Sequence, residues 1–238
     1  SIDRGQDTDH SSEALLRVEY PDAYEQLTQE FQLFSPDDGR LRYVAGVFLY
    51  REEATSSRRA IVGEDIGTVF AALAPPLAPA GPLFEDSFAG TFGDVDTDSW
   101  AVYLNGTYDI TERITLGFGI RYTDEERTVD YDLVGSVVDI GISVPTAAVF
   151  GVAVGPVDPA TGLTTLNFQD TQNYDDLSPM LSLSYALTES SNVYLKYSEG
   201  FKSGGFNVDF VSADLLADGI DFDPETVQSW ELGIKGES

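Results

Sequence analysis

Three carboxylates at alternate positions, Asp94, Asp96 and Asp98, are the residues of this chain best spaced for chemistry. Carboxylates so spaced open a calcium-binding loop, where they converge on a hard cation. The rest of that motif is missing: Ser99 stands where a glycine makes the turn, and Asn105 where a bidentate glutamate closes the cage. A solvated acidic segment is the simpler reading, and it applies equally to Asp221, Asp223 and Glu225. His10 is the only histidine and lies in a polar stretch without a second ligand, so no metal site is expected. Without a histidine near a strand no Ser-His-Asp arrangement can be assembled, and no apolar pocket singles out a carboxylate pair. The expectation is a protein that is not an enzyme, with no catalytic residue, no metal and no cofactor.

The acidic residues flank elements of a particular kind. Trp100, Val102, Leu104, Gly106 and Tyr108 alternate with Ser99, Ala101, Tyr103, Asn105 and Thr107; after Asp109–Arg113, Ile114, Leu116, Phe118, Ile120 and Tyr122 alternate with small and polar residues. A period of two marks strands with one apolar face. Here the apolar rows carry aromatics at or near their ends and aliphatics between them. Trp100 and Tyr108 are about 26 Å apart at ~3.3 Å per residue, which a ~40° tilt reduces to roughly 20 Å. That is close to the ~25 Å apolar band of an outer-membrane barrel. The same alternation recurs in 26–34, 177–187, 193–202 and 228–234, and more weakly in 15–20, whereas 41–50 is apolar on both faces and its polar side stays unassigned.

Short connections (35–40, 109–113, 188–192) alternate with long ones spanning roughly 54–97, 126–173 and 203–225. Loops of that length are uncommon within a compact soluble domain, whereas short periplasmic turns and long extracellular loops are the rule in a transmembrane barrel. The proline-rich 71–82 stretch reads as extended loop, and Leu133–Val157 as strand extension or an apolar loop patch rather than a membrane helix. The segments 52–98, 124–176 and 203–225 hold 25 of the 41 acidic residues but only Arg58, Arg59 and Arg127 as cations, and the net charge is −28. Nucleic acid is excluded as a partner, because phosphate neutralisation needs clustered Lys and Arg. There is no cysteine, so no disulfide framework exists. Residues 1–12 read as disordered. A start without Met or leader, and an end just past a strand, suggest a piece of a larger barrel.

Four segments resemble the barrel of TonB-dependent outer-membrane receptors, especially the siderophore type: EQLTQEFQLFSPDDGRLRYVAGVFLYREE (25–53), DTDSWAVYLNGTYDITERITLGFGIRYTDEER (96–127), YDDLSPMLSLSYALTESSNVYLKYSEGFKSGGFN (174–207) and FDPETVQSWELGIKGE (222–237). YSEGFKSGGFN together with PETVQSWELGIKGE is the specific part. The resemblance implies an all-β fold, a transmembrane antiparallel β-barrel of which 1–238 supplies seven or eight of 22 strands. It implies import of a ligand such as a ferric siderophore across the outer membrane of a Gram-negative bacterium. A plug domain would be worked by the TonB complex, and outer-membrane lipids and lipopolysaccharide would surround the wall. No plug-like region, TonB box or aromatic-ended closing strand occurs in the sequence, so those parts are expected elsewhere.

On this reading Trp100, Leu104, Tyr108, Leu116, Phe118, Ile120, Tyr122, Leu181, Leu183, Tyr185 and Trp230 face lipid. Glu30, Tyr103, Asn105, Arg121, Tyr194, Lys196 and Lys202 face the lumen. Alternation alone demands polar residues there, so their default role is to solvate the wall. Arg121, Lys196 and Lys202 are among few cations and are the candidates to meet an anionic ligand or an acidic side of the plug. Gly200, Gly204 and Gly205 suggest a bend or a close approach. Two other readings remain open at this point. One is a small complete outer-membrane barrel with a structural or adhesive role. The other is a secreted soluble β-sandwich binding module, which requires Trp100, Leu104, Phe118 and Ile120 to face a protein core.

Overall fold

A computed structural model describes residues 5–7, 13–149, 152–209 and 211–236. The elements, in chain order, are β1 (Gly5–Asp7), β2 (Leu16–Glu19), β3 (Asp22–Phe34), β4 (Leu41–Val62), α1 (Ile66–Leu73), a 3-10 turn (Pro75–Ala80), α2 (Gly81–Phe84), β5 (Phe88–Asp109), β6 (Ile114–Asp139), β7 (Ser143–Pro145), α3 (Thr146–Val149), β8 (Leu163–Ala186), β9 (Ser191–Lys202), β10 (Gly205–Phe206), α4 (Ala213–Asp218), β11 (Asp221–Phe222) and β12 (Glu225–Gly236). Antiparallel neighbours run β1-β2-β4-β5-β6-β8-β9-β12, with β3 also on β4 and β7 on β6. Strands β2 and β3 pair with successive parts of the same edge of β4. They are one strand interrupted at Tyr20-Pro21, where proline cannot donate to the ladder. The result is a single curved wall whose two outer strands pair with nothing further among the described residues. The wall is a partial barrel.

Residues 1–4 and 8–12, including His10, lie outside the described residues, so the expected disorder of 1–12 is addressed only at Gly5–Asp7, which pair with Arg17–Glu19.

Two local expectations are corrected. The long connections are shorter than the sequence suggested, because strands consume their ends: β4 and β5 stay paired from Leu41↔Tyr108 to Ile61↔Phe88, and β6 and β8 from Ile114↔Tyr185 to Ser136↔Leu163. Above the apolar rows these strands lose the one-sided signal, but backbone pairing persists without it. The proline-rich 71–82 stretch is helical, from the end of α1 through the 3-10 turn into α2. Prolines at the first positions of short helices cost nothing, since those N–H groups have no intrahelical acceptor.

The apolar side of the wall also changes hands along each long strand. In β6, Ile114, Leu116, Phe118, Ile120 and Tyr122 lie on one face, but Val129, Tyr131 and Leu133 lie on the other. In β8 the switch is from Leu166 and Phe168 to Leu177, Leu181, Leu183 and Tyr185. Above the switch, Val129, Tyr131 and Leu133 are buried with Ala153, Phe206, Val211 and Ile220 from the connections after β6 and β9. Those connections fold back over the wall and cover it. A second small core joins the first loop to the tip of the next hairpin, through Val62, Phe84 and Val138, with Ile66, Phe70 and Val144 packed against it.

Candidate functional site

Register places every residue named from the sequence on a definite face, because directly paired residues point the same way. One face carries rows such as Leu49↔Trp100, Val47↔Val102↔Tyr122↔Leu177 and Ala45↔Leu104↔Ile120↔Pro179. Further along it run Tyr108↔Leu116↔Leu183↔Leu195↔Leu232 and Phe118↔Leu181↔Tyr197↔Trp230, with Tyr185 opposite Ile114. The large side chains of these rows are mostly exposed: Trp100 at 42%, Leu104 at 37% and Ile120 at 44%. No second sheet covers them among the described residues, which removes the β-sandwich reading. Where the apolar face ends, the Trp100 indole N–H donates to Asp124, and its ring lies 5.6 Å from that of Tyr122. A groove of about 520 Å³, lined by Leu49, Arg51, Asp98, Trp100, Asp124 and Glu126, lies at this border. Asp94, Asp96 and Asp98 sit inside β5. A strand spaces alternate side chains about 7 Å apart along one face, so they do not wrap a common centre.

The opposite face holds Glu30, Tyr103, Asn105, Arg121, Tyr194, Lys196 and Lys202, as well as Phe48 and Tyr50 of the strand whose polar side the sequence left open. Tyr103 lies flat across its partner Gly46: a Cβ there would come within 2.5 Å of the ring. Its hydroxyl donates to Glu30 and accepts from Gln32. Tyr194 covers Gly233 in the same way and donates to Glu231, with Lys235 5.1 Å from its ring centre. Arg121 lies between two rings, with Cζ 5.4 Å from the centre of Phe48 and 6.0 Å from that of Tyr103. Its Nε donates to the Thr123 hydroxyl, and no carboxylate lies within 4 Å of it among the described residues. Arg121 is therefore a held, planar cation with bonding capacity to spare. Lys202 faces Glu225 at 3.9 Å, and Lys196 sits opposite Glu231. The structure brings Glu30, Tyr103 and Arg121 together, leaves the two lysines apart from them, and sets Asn105 over Gly119.

Above this face sits a roof that the sequence did not reveal. Tyr131, fully buried, donates its hydroxyl to the carbonyl of Asp209, and burial pushes its pKa up. Val208 packs on Gly93, where a Cβ would approach Val208 to 2.8 Å, and the Ala153 N–H bonds the Val211 carbonyl. Gly204 and Gly205 make the close approach expected of them, the first against the Tyr174 ring and the second against Phe222 and Arg127. Burial also raises the pKa of Tyr174. The missed signal was the reversed alternation of Val129, Tyr131 and Leu133 with Asp130 and Asp132.

No described helix is long and apolar enough to cross a membrane. The TonB dependent receptor-like β-barrel family model matches residues 3–237. The chain belongs to the TonB-dependent receptor family. It is also similar in structure to the ferric yersiniabactin uptake receptor FyuA from Yersinia pestis, with a TM-score of 0.62 at 20% identity. That match covers 94% of this chain and 28% of the other, and at such identity it speaks for the fold alone. No curated protein matches. The fold is thus a partial TonB-dependent receptor barrel, from a family of outer-membrane transport receptors rather than enzymes.

Proposed function

We propose that this chain forms a wall section of an outer-membrane receptor that imports a small ligand, such as a ferric siderophore, with energy supplied through TonB. The observation that carries the reading is the family match over nearly the whole chain. On this reading the apolar face contacts lipid, with Trp100 and Tyr122 marking its outer border beside lipopolysaccharide. The polar face lines the lumen, and the short turns at 35–40, 110–113 and 187–190 are periplasmic.

Arg121 is the lumen residue with a function to perform. Held between Phe48 and Tyr103 and free of a carboxylate partner, it would pair with an acidic group of the plug that fills the barrel. Glu30 is already occupied by Tyr103, and Lys202 by Glu225. The test is uptake of ⁵⁵Fe-loaded chelates by iron-starved cells that produce the intact receptor, with and without TonB. TonB-dependent accumulation is the expected result. Accumulation of no chelate above receptor-free cells would refute iron-chelate import.

A further inference from the structure

Among the described residues, Arg59 is the arginine beyond the apolar rows that holds no carboxylate. Arg17, Arg51, Arg58 and Arg127 pair with Glu19, Glu53, Asp22 and Glu125 at 2.7 to 3.2 Å. No carboxylate of the described residues lies within 4 Å of Arg59. Its Nε is buried and makes no hydrogen bond. Its Cζ sits 4.4 Å from the centre of the Phe88 ring, which holds the guanidinium in place. A buried charged donor needs an acceptor, because leaving it unmet costs more than a bond made to water.

The neighbouring side chains do not supply that acceptor. Glu19 lies directly across from Arg59 on β2, but its carboxylate is engaged by Arg17. The partner on the other side is Gly90, over which the Phe92 ring leans, within 3.2 Å of where a Cβ would stand. The guanidinium is thus set beside two aromatic rings, and apolar neighbours of this kind strengthen its attraction for an anion. Arg17 is a diagonal cross-strand neighbour, about 7–8 Å away between Cα atoms, so its long side chain can reach the same anion. Two planar forks at that spacing suit the several oxygens of a phosphate.

The strand decides where that phosphate comes from. Arg59 has the same parity along β4 as Val47 and Leu49, so it stands on the apolar side of the wall and not on the face of Tyr103 and Arg121. Resting on the import reading, we propose that Arg59, with Arg17 beside it, binds a phosphate group carried on the saccharide of the lipopolysaccharide around the receptor. On that reading Arg59 is outside the barrel, away from the path of an imported solute. It lies ten residues beyond Leu49, about 33 Å along the strand and roughly 25 Å along the membrane normal at ~40° tilt. Phosphates at the lipid border meet Asp98, Asp124 and Glu126, which repel them. From Gly90, beside Arg59, to Asp94 is about 13 Å along β5, more than the ~8 Å over which salt screens charge. The phosphate that reaches Arg59 is therefore one borne farther out, on the saccharide.

The deciding experiment is isothermal titration calorimetry on the intact purified receptor. The probes are a phosphorylated core oligosaccharide freed of its lipid, the same oligosaccharide after phosphatase treatment, and inorganic phosphate. The expected result is at least about tenfold tighter binding of the first than of the other two. R59Q should weaken that binding by about tenfold or more, and R59K should recover part of it by keeping the charge without the fork. E19Q should tighten it by removing the nearest carboxylate, and R51Q, at an exposed arginine on the same face, should leave it unchanged. Undiminished binding in R59Q, equal binding of the dephosphorylated oligosaccharide, or binding of no probe overturns the site. Inorganic phosphate bound as tightly as the oligosaccharide, and lost in R59Q, overturns the saccharide as the source. Should R59Q fail to fold, E19Q decides, and binding no tighter than wild type overturns the site. Chelate uptake is measured separately, so failure of this site and failure of the import reading stay distinguishable.

Discussion

Placing an arginine at Leu104 tests the assignment of faces more sharply than any other change. Leu104 lies midway between Trp100 and Tyr108 on the apolar row of β5, flanked by Ala45 and Ile120. Four residues either way is about 13 Å along the strand, or roughly 10 Å along the normal at ~40° tilt, so the proposed reading puts its side chain near the centre of the ~25 Å band. An arginine there costs roughly 2–4 kcal/mol, or about 30- to 700-fold in the folding equilibrium at about 1.4 kcal/mol per decade. Asn105, one residue on, faces the other way, over Gly119. Arginine at that position meets water and should cost no more than ~0.5 kcal/mol. The assay is equilibrium urea folding of the intact receptor into phosphatidylcholine vesicles, read by heat-modifiable mobility in gels. Equal losses for L104R and N105R, or a larger loss for N105R, would refute the assignment of the apolar face to lipid.

Other outcomes follow from the lumen and the roof. Replacing Tyr131 with Phe removes its bond to the Asp209 carbonyl and should cost about 0.5–1.5 kcal/mol, whereas Y131A should cost about 3–5 kcal/mol by opening the core beneath the folded-back loops. Limited proteolysis of the 205–222 segment, faster in the order Ala, Phe, wild type, is the readout. Gly93→Val drives a branched side chain into Val208 and should expose the same segment to protease without loosening the spanning strands. The Asp158 carboxyl is held below its ordinary value by the Ala160 N–H and then the Thr161 hydroxyl. Its contribution to the 158–162 turn is present above the ordinary carboxylate pKa of about 3.9 and is lost as pH falls through the depressed value, so Gly162 amide exchange, corrected for intrinsic pH dependence, should lose protection only in strong acid. Arg121→Ala should leave folding intact and shorten retention of the plug against urea, and an unchanged plug release midpoint would remove its proposed role.

The one-sided part of the fold was legible in the sequence because an apolar face and a polar face of one sheet imprint a period of two, as in Trp100–Tyr108 and Ile114–Tyr122. Residues 41–50 defeated that reading because Phe48 sits on the polar face, where its ring packs against Arg121. Only pairing with β5 assigns it. The upper strands were hidden for a different reason. Their outward face is acidic and their inward face is covered by distant loops, so the alternation reverses and looks like loop when judged by the membrane's pattern. Prolines in 71–82 read as breakers, yet Pro75, Pro76 and Pro82 stand at the first positions of short helical turns, where they act as starters. Of the candidate lumen residues, their common face was readable from spacing. The grouping of Glu30, Tyr103 and Arg121 was not, since it depends on partners more than seventy residues apart.

The tyrosines laid over Gly46 and Gly233 have a mechanical consequence. A ring that lies along the wall projects little into the interior, so this side of the barrel presents low relief, closer to a bearing surface than to a set of interlocking teeth. The glycines make that possible, because any Cβ beneath would lift the ring inward. On the proposed import reading, a body seated against such a surface is held by a few directional contacts, Arg121 first among them. It can be drawn away by breaking those few, without first disengaging a packed interface.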